Sequence, residues 1–289
     1  MPLVSIGLPV RNGAQRLEPV VRSVLAQDEP DLELVISDNA STDDTEELCR
    51  KLAGEDPRIG YHRQPEDIGL VNNFIATMRL ARGTFYRWIG DDDWLAPGYL
   101  SRCLAVFAAD ERLVLVTTQI SYAAELPGSA GRSAVYDGTA LGSDDPAERF
   151  AEMLRLLNES FLLLDPLYGL IRREVVAALP RRVMLREDQI LAARLALAGP
   201  WGHVPEVLAH RNWRDETRPL LARRIGVPAW QARMATALQS RELLRCVREA
   251  KLSPAQRRRA RAAVAGHYLG WHRRRWATAL RKMRGFRKM

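Results

Sequence analysis

Two short apolar runs, Val4 to Val10 and Leu32 to Ser37, each end in polar turn residues, and each is followed by apolar side chains at helical spacing. A chain that alternates strand and helix this tightly is confined to a parallel sheet. Its strands need long crossovers, and a crossover helix must bury its apolar stripe against the sheet. The first run closes at Pro9, Asn12 and Gly13, and Leu17, Val20, Val21, Val24 and Leu25 then recur three or four residues apart, with Pro19 in a tolerant first turn. The second closes on Asp38-Asn39-Ala40-Ser41-Thr42-Asp43, where Thr42 or Asp43 caps a helix that stops near Gly54. A strand around Ile59 to His62, a helix carrying Val71, Phe74, Ile75 and Met78 up to Gly83, and a strand from Thr84 to Ile89 repeat the unit. Pro97 opens a helix with Leu100, Cys103, Leu104 and Phe107 on one stripe, and Arg112 to Gln119 closes this half as a strand.

Further on the rhythm loosens. Ser121 to Ser143 turns to Gly, Ser, Pro and Tyr and reads as a long loop over the site. Phe150, Met153, Leu154 and Leu157 mark a helix, Glu187 to Ala198 another, His203 to Arg211 a strand, and everything after Arg218 is helical. The expected organisation is a core in two parts, 1–120 as its nucleotide-binding half and 121–215 as its second half, with a helical extension over 216–289. No stretch approaches the roughly 18 apolar residues of a membrane span. Cys49, Cys103 and Cys246 have neither disulfide nor metal spacing. With no leader pattern after Met1, the expectation is a cytoplasmic protein.

Charge divides the chain. From Lys251 onward there are 13 Lys or Arg and no Asp or Glu, against a net charge of +8 overall, so the body before it is mildly acidic. Trp271, Trp276, Leu280, Met283 and Phe286 interleave with arginines there, a pattern suited to peripheral contact with an anionic membrane on its inner face. The alternative is a basic helix packed on the core by its tryptophans. No nucleic-acid motif accompanies the charge, and no nucleic acid is expected as a partner.

The chemistry concentrates in Asp91-Asp92-Asp93, three adjacent carboxylates at the carboxyl end of a strand, where ligands of open α/β sheets bind. Such a cluster is relieved by a cation, and Mg²⁺ or Mn²⁺ prefers a few carboxylate oxygens together with substrate phosphates. Asp38 ends a strand at the same sheet edge, where a carboxylate can accept from a ribose or a base N–H; an Asx turn is the alternative. No G-x-G-x-x-G follows the first strand, which speaks against a dinucleotide oxidoreductase.

Taken in order, Pro9-Val10-Arg11-Asn12, Ser37-Asp38-Asn39-Ala40-Ser41-Thr42-Asp43, Gly69 with Asn73, Arg82-Gly83 and Asp91-Asp92-Asp93-Trp94 resemble the motifs of family 2 glycosyltransferases, and the similarity extends through Glu187-Asp188 to about Trp213. The resemblance implies a GT-A fold, a Rossmann-like mostly parallel sheet flanked by helices. It also implies inverting transfer from a nucleoside diphosphate sugar to a hydroxyl of a glycan, lipid-linked or small-molecule acceptor, with a divalent metal as cofactor. Carried onto this chain, Pro9, Val10, Arg11, Asn12, Asp38, Asn39, Asn73, Asp91 and Asp92 contact the nucleotide sugar. Asp92 and Asp93 hold the metal, and Asp188 is the catalytic base with Glu187 as substitute. Arg11 stands where the family usually has Tyr or Phe, Gly90 where many members have an acid, and Trp213 where a His often lies, so His210 is the alternative contact to the diphosphate. A non-catalytic nucleotide-sugar-binding relative and a sugar nucleotidyltransferase remain as other readings.

Overall fold

The computed structural model describes residues 2–124, 135–136, 140–159, 165–213 and 217–286, with the side chains of all but 123–124, 213, 218 and 275–286. Its strands are β1 (Val4–Val10), β2 (Leu32–Asp38), β3 (Ile59–Arg63), β4 (Phe85–Trp88), β5 (Trp94–Leu95), β6 (Leu115–Ala124), β7 (Leu170–Arg172) and β8 (Trp201–Trp213). The helices of the core are α1 (Leu17–Leu25), α2 (Thr45–Glu55), α3 (Leu70–Leu80), α4 (Tyr99–Ala109), α5 (Pro146–Glu159), α6 (Arg173–Ala178) and α7 (Glu187–Ala198). Three more follow: α8 (Arg218–Ile225), α9 (Trp230–Glu249) and α10 (Pro254–Phe286).

All eight strands form one sheet in the order β3-β2-β1-β4-β7-β6-β8-β5. The first four are parallel, β7 runs against both neighbours, β6 and β8 are parallel, and β5 closes the edge antiparallel to β8. Every residue of β1 and β2 is buried, which is why both read as unbroken apolar runs rather than as alternation. One core lies between the sheet and α1, α2 and α4, built on Leu17, Val21, Leu52 and Phe107. A second, around Tyr86, Trp88, Met153 and Leu195, lies under α3, α5, α6 and α7.

Several boundaries differ from the sequence reading. β6 continues to Ala124, so the first residues of the expected loop are strand, held by pairing with β8 across a bulge near Gln119; 125–134 and 137–139 lie outside the described residues. β5 was not anticipated, because two residues carry no periodicity; its pairing with His210 and Ala209 makes it a strand. α2 begins at Thr45, with Asp43 accepting from the Thr45 amide at 3.1 Å.

The helical extension is part of the packed body through residue 274. Cys246 and Val247 of α9 and Ala260 and Val264 of α10 share a core with Phe150 and Leu154 of α5. His267 is buried on the Leu154 carbonyl, 3.0 Å away. Trp271 is half-buried with the Arg186 guanidinium over its ring. Packing therefore accounts for Trp271, while Trp276, Leu280, Met283 and Phe286 fall among the side chains outside the description. Among the described residues no helix is long and apolar enough to cross a membrane.

Glu33 is a charged residue inside a buried strand, and its partners explain why. It accepts from Ser5 Oγ and the Arg82 amide, both at 2.6 Å, and from Arg82 Nε and Nη2 at 3.0 and 2.8 Å. Ser5 Oγ in turn accepts from the Gly83 amide at 2.7 Å. A Cβ at Gly83 would sit 2.7 Å from the Ser5 nitrogen and 2.8 Å from the Val4 carbonyl carbon, so only glycine lets this corner close on β1. Burial opposes ionisation of Glu33, but these hydrogen bonds outweigh it and hold its pKa below the ordinary value. A lowered folded pKa stabilises above the unfolded value and is lost as pH falls through the folded one. Glu33→Ala should therefore lower unfolding free energy by about 2 kcal/mol at pH 7, with the gap narrowing toward pH 3 in urea titrations. An unchanged midpoint at pH 7 would show that the clamp does not hold the corner.

Candidate functional site

The carboxyl ends of β1, β2 and β4 open onto a cavity of about 650 Å³. Its walls include Pro9, Val10, Arg11, Asn12, Asn39 and Asn73, together with Asp91, Asp92 and Asp93. Eight of the nine residues expected at the nucleotide sugar are thus brought together, Asp38 being the exception.

The turn after β1 is laced to the turn after β2. Asn12 takes a left-handed conformation, φ 53°, tolerated by Asn better than by most residues. Its amide donates to Ser41 Oγ and its Oδ1 accepts from the Thr42 amide, both at 2.9 Å. Asn73 donates to the Ser37 carbonyl at 2.9 Å and accepts from Ser37 Oγ at 2.7 Å, which locks α3 to the end of β2. Asp67 joins one wall: it pairs with Arg11 at 2.5 Å and accepts from Asn39 Nδ2 at 2.6 Å.

Asp38 is 0% exposed and is absent from the cavity wall. Its Oδ1 accepts from the Ser41 amide at 2.9 Å, and Oδ2 accepts from Tyr61 Oη and Arg63 Nη1, both at 2.8 Å. Here the carboxylate expected at a ribose or base N–H is engaged within the protein. The Asx turn and the neighbouring β3 side chains use both oxygens, because a carboxylate this deep needs internal partners.

The three aspartates separate into different roles. Asp93 is 3% exposed; Oδ2 accepts from the Gly90 amide at 3.1 Å and Arg211 Nε at 3.3 Å, and Oδ1 from the Asn212 amide at 3.3 Å. Its lone pairs fold the loop onto β8, so the expected metal role meets a carboxylate already engaged. Asp91 Oδ2 accepts from Arg16 Nη2 at 2.5 Å, and Asp92 lines the cavity with its carbonyl accepting from Asn212 Nδ2 at 2.7 Å. Asp91 is thus engaged by Arg16 as Asp93 is by Arg211, and among the described residues no group of three or more His, Cys, Asp or Glu is placed to hold a metal ion.

Arg211 is the residue that sequence reasoning passed over. It pairs with Asp165 as well as Asp93, and its guanidinium lies 3.6 Å from the centre of the Tyr168 ring. Burial would discharge a lone cation, but the surrounding acidic groups push its pKa well up. Arg16, Asp67, Tyr168, Asn212 and Arg224 also line the cavity and were not singled out. The one available signal was position: Arg211 and Asn212 adjoin His210, already flagged for the diphosphate. His210 itself stacks on Trp94, 3.5 Å between ring centres, rather than lining the cavity.

Asp188 opens α7 after Arg186, whose φ of 64° makes the left-handed turn into the helix. Its neighbour Glu187 is buried and tied to Arg181, Nε to Oε1 at 2.6 Å, which removes it as substitute base. Asp188 is open to solvent but set in dense surroundings; that mass first, then the charges of Asp165 and Glu187, push its carboxyl up to about 6. The helix dipole, expected to favour ionisation, is outweighed. Asp188 is not a wall of the cavity itself. Asp165 links the two, being close enough to act on Asp188 and paired to Arg211, which reaches Asp93.

Comparison with known proteins bears on this arrangement. Over 118 residues the chain is 36% identical to a chondroitin synthase of Pasteurella multocida, covering 41% of this chain but only 12% of that protein. A crystal structure of S. aureus TarS, residues 1–349, superposes with a TM-score of 0.70 at 15% identity, covering 94% of this chain and 73% of that one; the same protein has been solved with UDP-GlcNAc. The mannosyltransferase PcManGT of Pyrobaculum calidifontis, solved with GDP-Man and Mn²⁺, gives 0.57 at 18% identity, covering 92% and 74%. These structures share the GT-A fold. The model of the glycosyl transferase family 2 matches residues 5–178, the span that holds β1 to α6 and the aspartate loop, and the chain belongs to that family.

Proposed function

We propose that the protein transfers a sugar, with inversion, from a nucleoside diphosphate sugar to a hydroxyl of a glycan or lipid-linked acceptor. The observation that carries this reading is the 650 Å³ cavity at the carboxyl ends of β1, β2 and β4, where the β1 turn, Asn39, Asn73 and the aspartate loop converge. The proposed division is 1–120 for the donor, 121–215 for the acceptor and 216–289 as extension.

In this reading the donor lies along the turn after β1, against Arg11, Asn12 and Asn39. Arg16 and Arg224 face its diphosphate, where guanidinium groups suit phosphate oxygens. Mg²⁺ or Mn²⁺, held by Asp92 with Asp91, would supply positive charge to the departing diphosphate. Asp93 and Arg211 keep the loop in shape. Asp188 takes the proton from the acceptor hydroxyl as that oxygen attacks the anomeric carbon from the face opposite the leaving group. A carboxylate with a pKa near 6 is a stronger base than an ordinary aspartate and is still mostly ionised at pH 7.

Asp92→Ala should abolish turnover and remove metal-dependent stabilisation by a nucleoside diphosphate in thermal shifts; a variant with normal turnover would displace the metal from this loop. For Asp188→Asn the pattern differs. Donor affinity is kept while kcat falls by about 10²–10⁴, and the wild-type kcat/KM profile has an acid limb near pH 6, tenfold per unit below it. Equal loss of donor binding would make Asp188 a donor contact instead.

The same carboxyl has a stability signature. With its folded pKa raised, Asp188 imposes no penalty below the unfolded value of about 3.9 and its full penalty above about 6. Asp188→Asn should thus melt higher than wild type at pH 7.5 and equal to it near pH 4. A lower melting temperature at pH 7.5 would show that the charge is structurally needed.

A further inference from the structure

A second cavity, larger than the donor site, lies elsewhere in the molecule. It is a groove of about 1300 Å³ between α9 and α10, closed at one end by residues 182–184 of the segment leading into α7. Its floor is apolar, with Met184, Leu238, Leu244 and Val264. Its rim is cationic: Arg241, Arg245 and Arg248 recur on one face of α9, and Arg261 faces them from α10. The single acid in the lining, Glu242, is already paired with Arg194 and Arg182, and Arg245 with Glu249. Arg241, Arg248 and Arg261 are exposed and make no ion pair among the described residues.

A second observation points the same way. Of the nine exposed large hydrophobic residues among those described, six (Val183, Leu220, Trp230, Met234, Leu244 and Leu269) lie in α8 to α10 or on the 182–184 loop beside them. Val183 and Leu244 of these line the groove itself, so its apolar floor continues to the solvent-exposed surface. The charge is equally concentrated, since residues 217–289 hold 20 Lys or Arg against Glu242 and Glu249.

We propose that this groove binds the phosphate end of one long-chain lipid, its chain along Leu238, Leu244 and Val264 and its phosphate among Arg241, Arg248 and Arg261. The α9 stripe from Leu238 to Arg248 is about 15 Å long at 1.5 Å per residue, room for the first part of such a chain. A purely polyanionic partner would use the arginines but leave the apolar floor unmatched; a purely apolar one would strand the arginines. The inference deepens the lipid-linked acceptor reading and rests on it for the class of ligand. On the other face of α9 from the rim, Gln239 is fully buried and hydrogen-bonded to Arg186 and to Gln189 at 2.6 Å, the residues flanking Glu187 and Asp188, so α9 lies between the groove and the proposed base.

The test is direct binding to the full-length protein, without donor or metal, of monomeric geranylgeranyl phosphate. Geranylgeraniol and inorganic phosphate serve as half-ligand controls. One saturable site is expected, at least tenfold tighter for the lipid phosphate than for either control. The triple variant R241E/R248E/R261E should weaken it tenfold or more, and L244D should weaken it as well. Because the three arginines are exposed and make no ion pair among the described residues, the triple variant should melt with the wild type; if it does not, R241Q/R248Q/R261Q replaces it. A tail variant, R281E/K282E/R284E, should leave this site unchanged even where it reduces recruitment to phosphatidylglycerol vesicles. Binding unaffected by the groove variants, displacement of the probe by a short RNA, or self-association that the same variants abolish would each overturn the proposal. Nucleoside diphosphate binding at Asp92 is read separately, so failure at the groove leaves the donor site standing, and failure of the donor site leaves the groove measurable.

Discussion

Three consecutive carboxylates at the edge of a sheet repel one another, and the site is organised around containing that repulsion. Arg16 takes Asp91, Arg211 takes Asp93, and Asp92 stays on the cavity wall. Arg211 bears most of the architecture because it also binds Asp165 and lies on Tyr168, tying the loop after β4 to residues more than seventy positions later in the chain. A buried guanidinium between two carboxylates is costly to desolvate and is worth having only when its geometry is fixed on every side. Here that geometry sets the direction of the aspartate loop. A donor diphosphate therefore meets a preorganised arrangement of charge rather than a flexible acidic tip.

How much of this could be read from the chain depends on the range of each interaction. β1, β2, α3 and α7 were legible because burial imposes periodicity and their ends carry Pro, Asn, Gly or Asp. The cavity wall was legible because the residues after each parallel strand must gather at one edge. β5 was not, since Trp94-Leu95 is a strand only by pairing with β8. Arg211 was invisible for the same reason: nothing local distinguishes it from other arginines in an arginine-rich chain. Asp38 and Asp93 show the converse difficulty. A carboxylate at a strand end looks the same in sequence whether it faces a ligand or the backbone, and only the location of donors such as Tyr61, Arg63 and the Asn212 amide decides.

Glu187 and Asp188 are adjacent, chemically similar and opposite in fate. Glu187 is buried with Arg181, which is itself stacked on Trp88, so it is held as a structural ion pair. Asp188 remains accessible, and desolvation together with the charges of Asp165 and Glu187 raises its pKa. A carboxylate ionised against such a shift costs stability. The pair thus sets a buried ion pair beside an accessible carboxylate within one turn of helix, and Asp165 couples that turn to the Arg211 network.

The C-terminal helices extend the same logic of unbalanced charge to the surface. α10 is anchored through Ala260, Val264 and His267, so its arginines are carried on a packed element rather than on a free tail. A helix that packs by one face and carries arginines on another holds those charges at fixed spacing. Across from it α9 does likewise, and between them lies an apolar floor. An arginine stripe on α9 facing Arg261 of α10 over an apolar trough concentrates positive potential at the rim of that trough, which attracts a phosphate. The trough separates a built site from general surface charge: surface charge is screened by salt within about a Debye length of 8–10 Å, whereas a phosphate seated among Arg241, Arg248 and Arg261 with its chain in the trough keeps the apolar part of its attraction at any ionic strength.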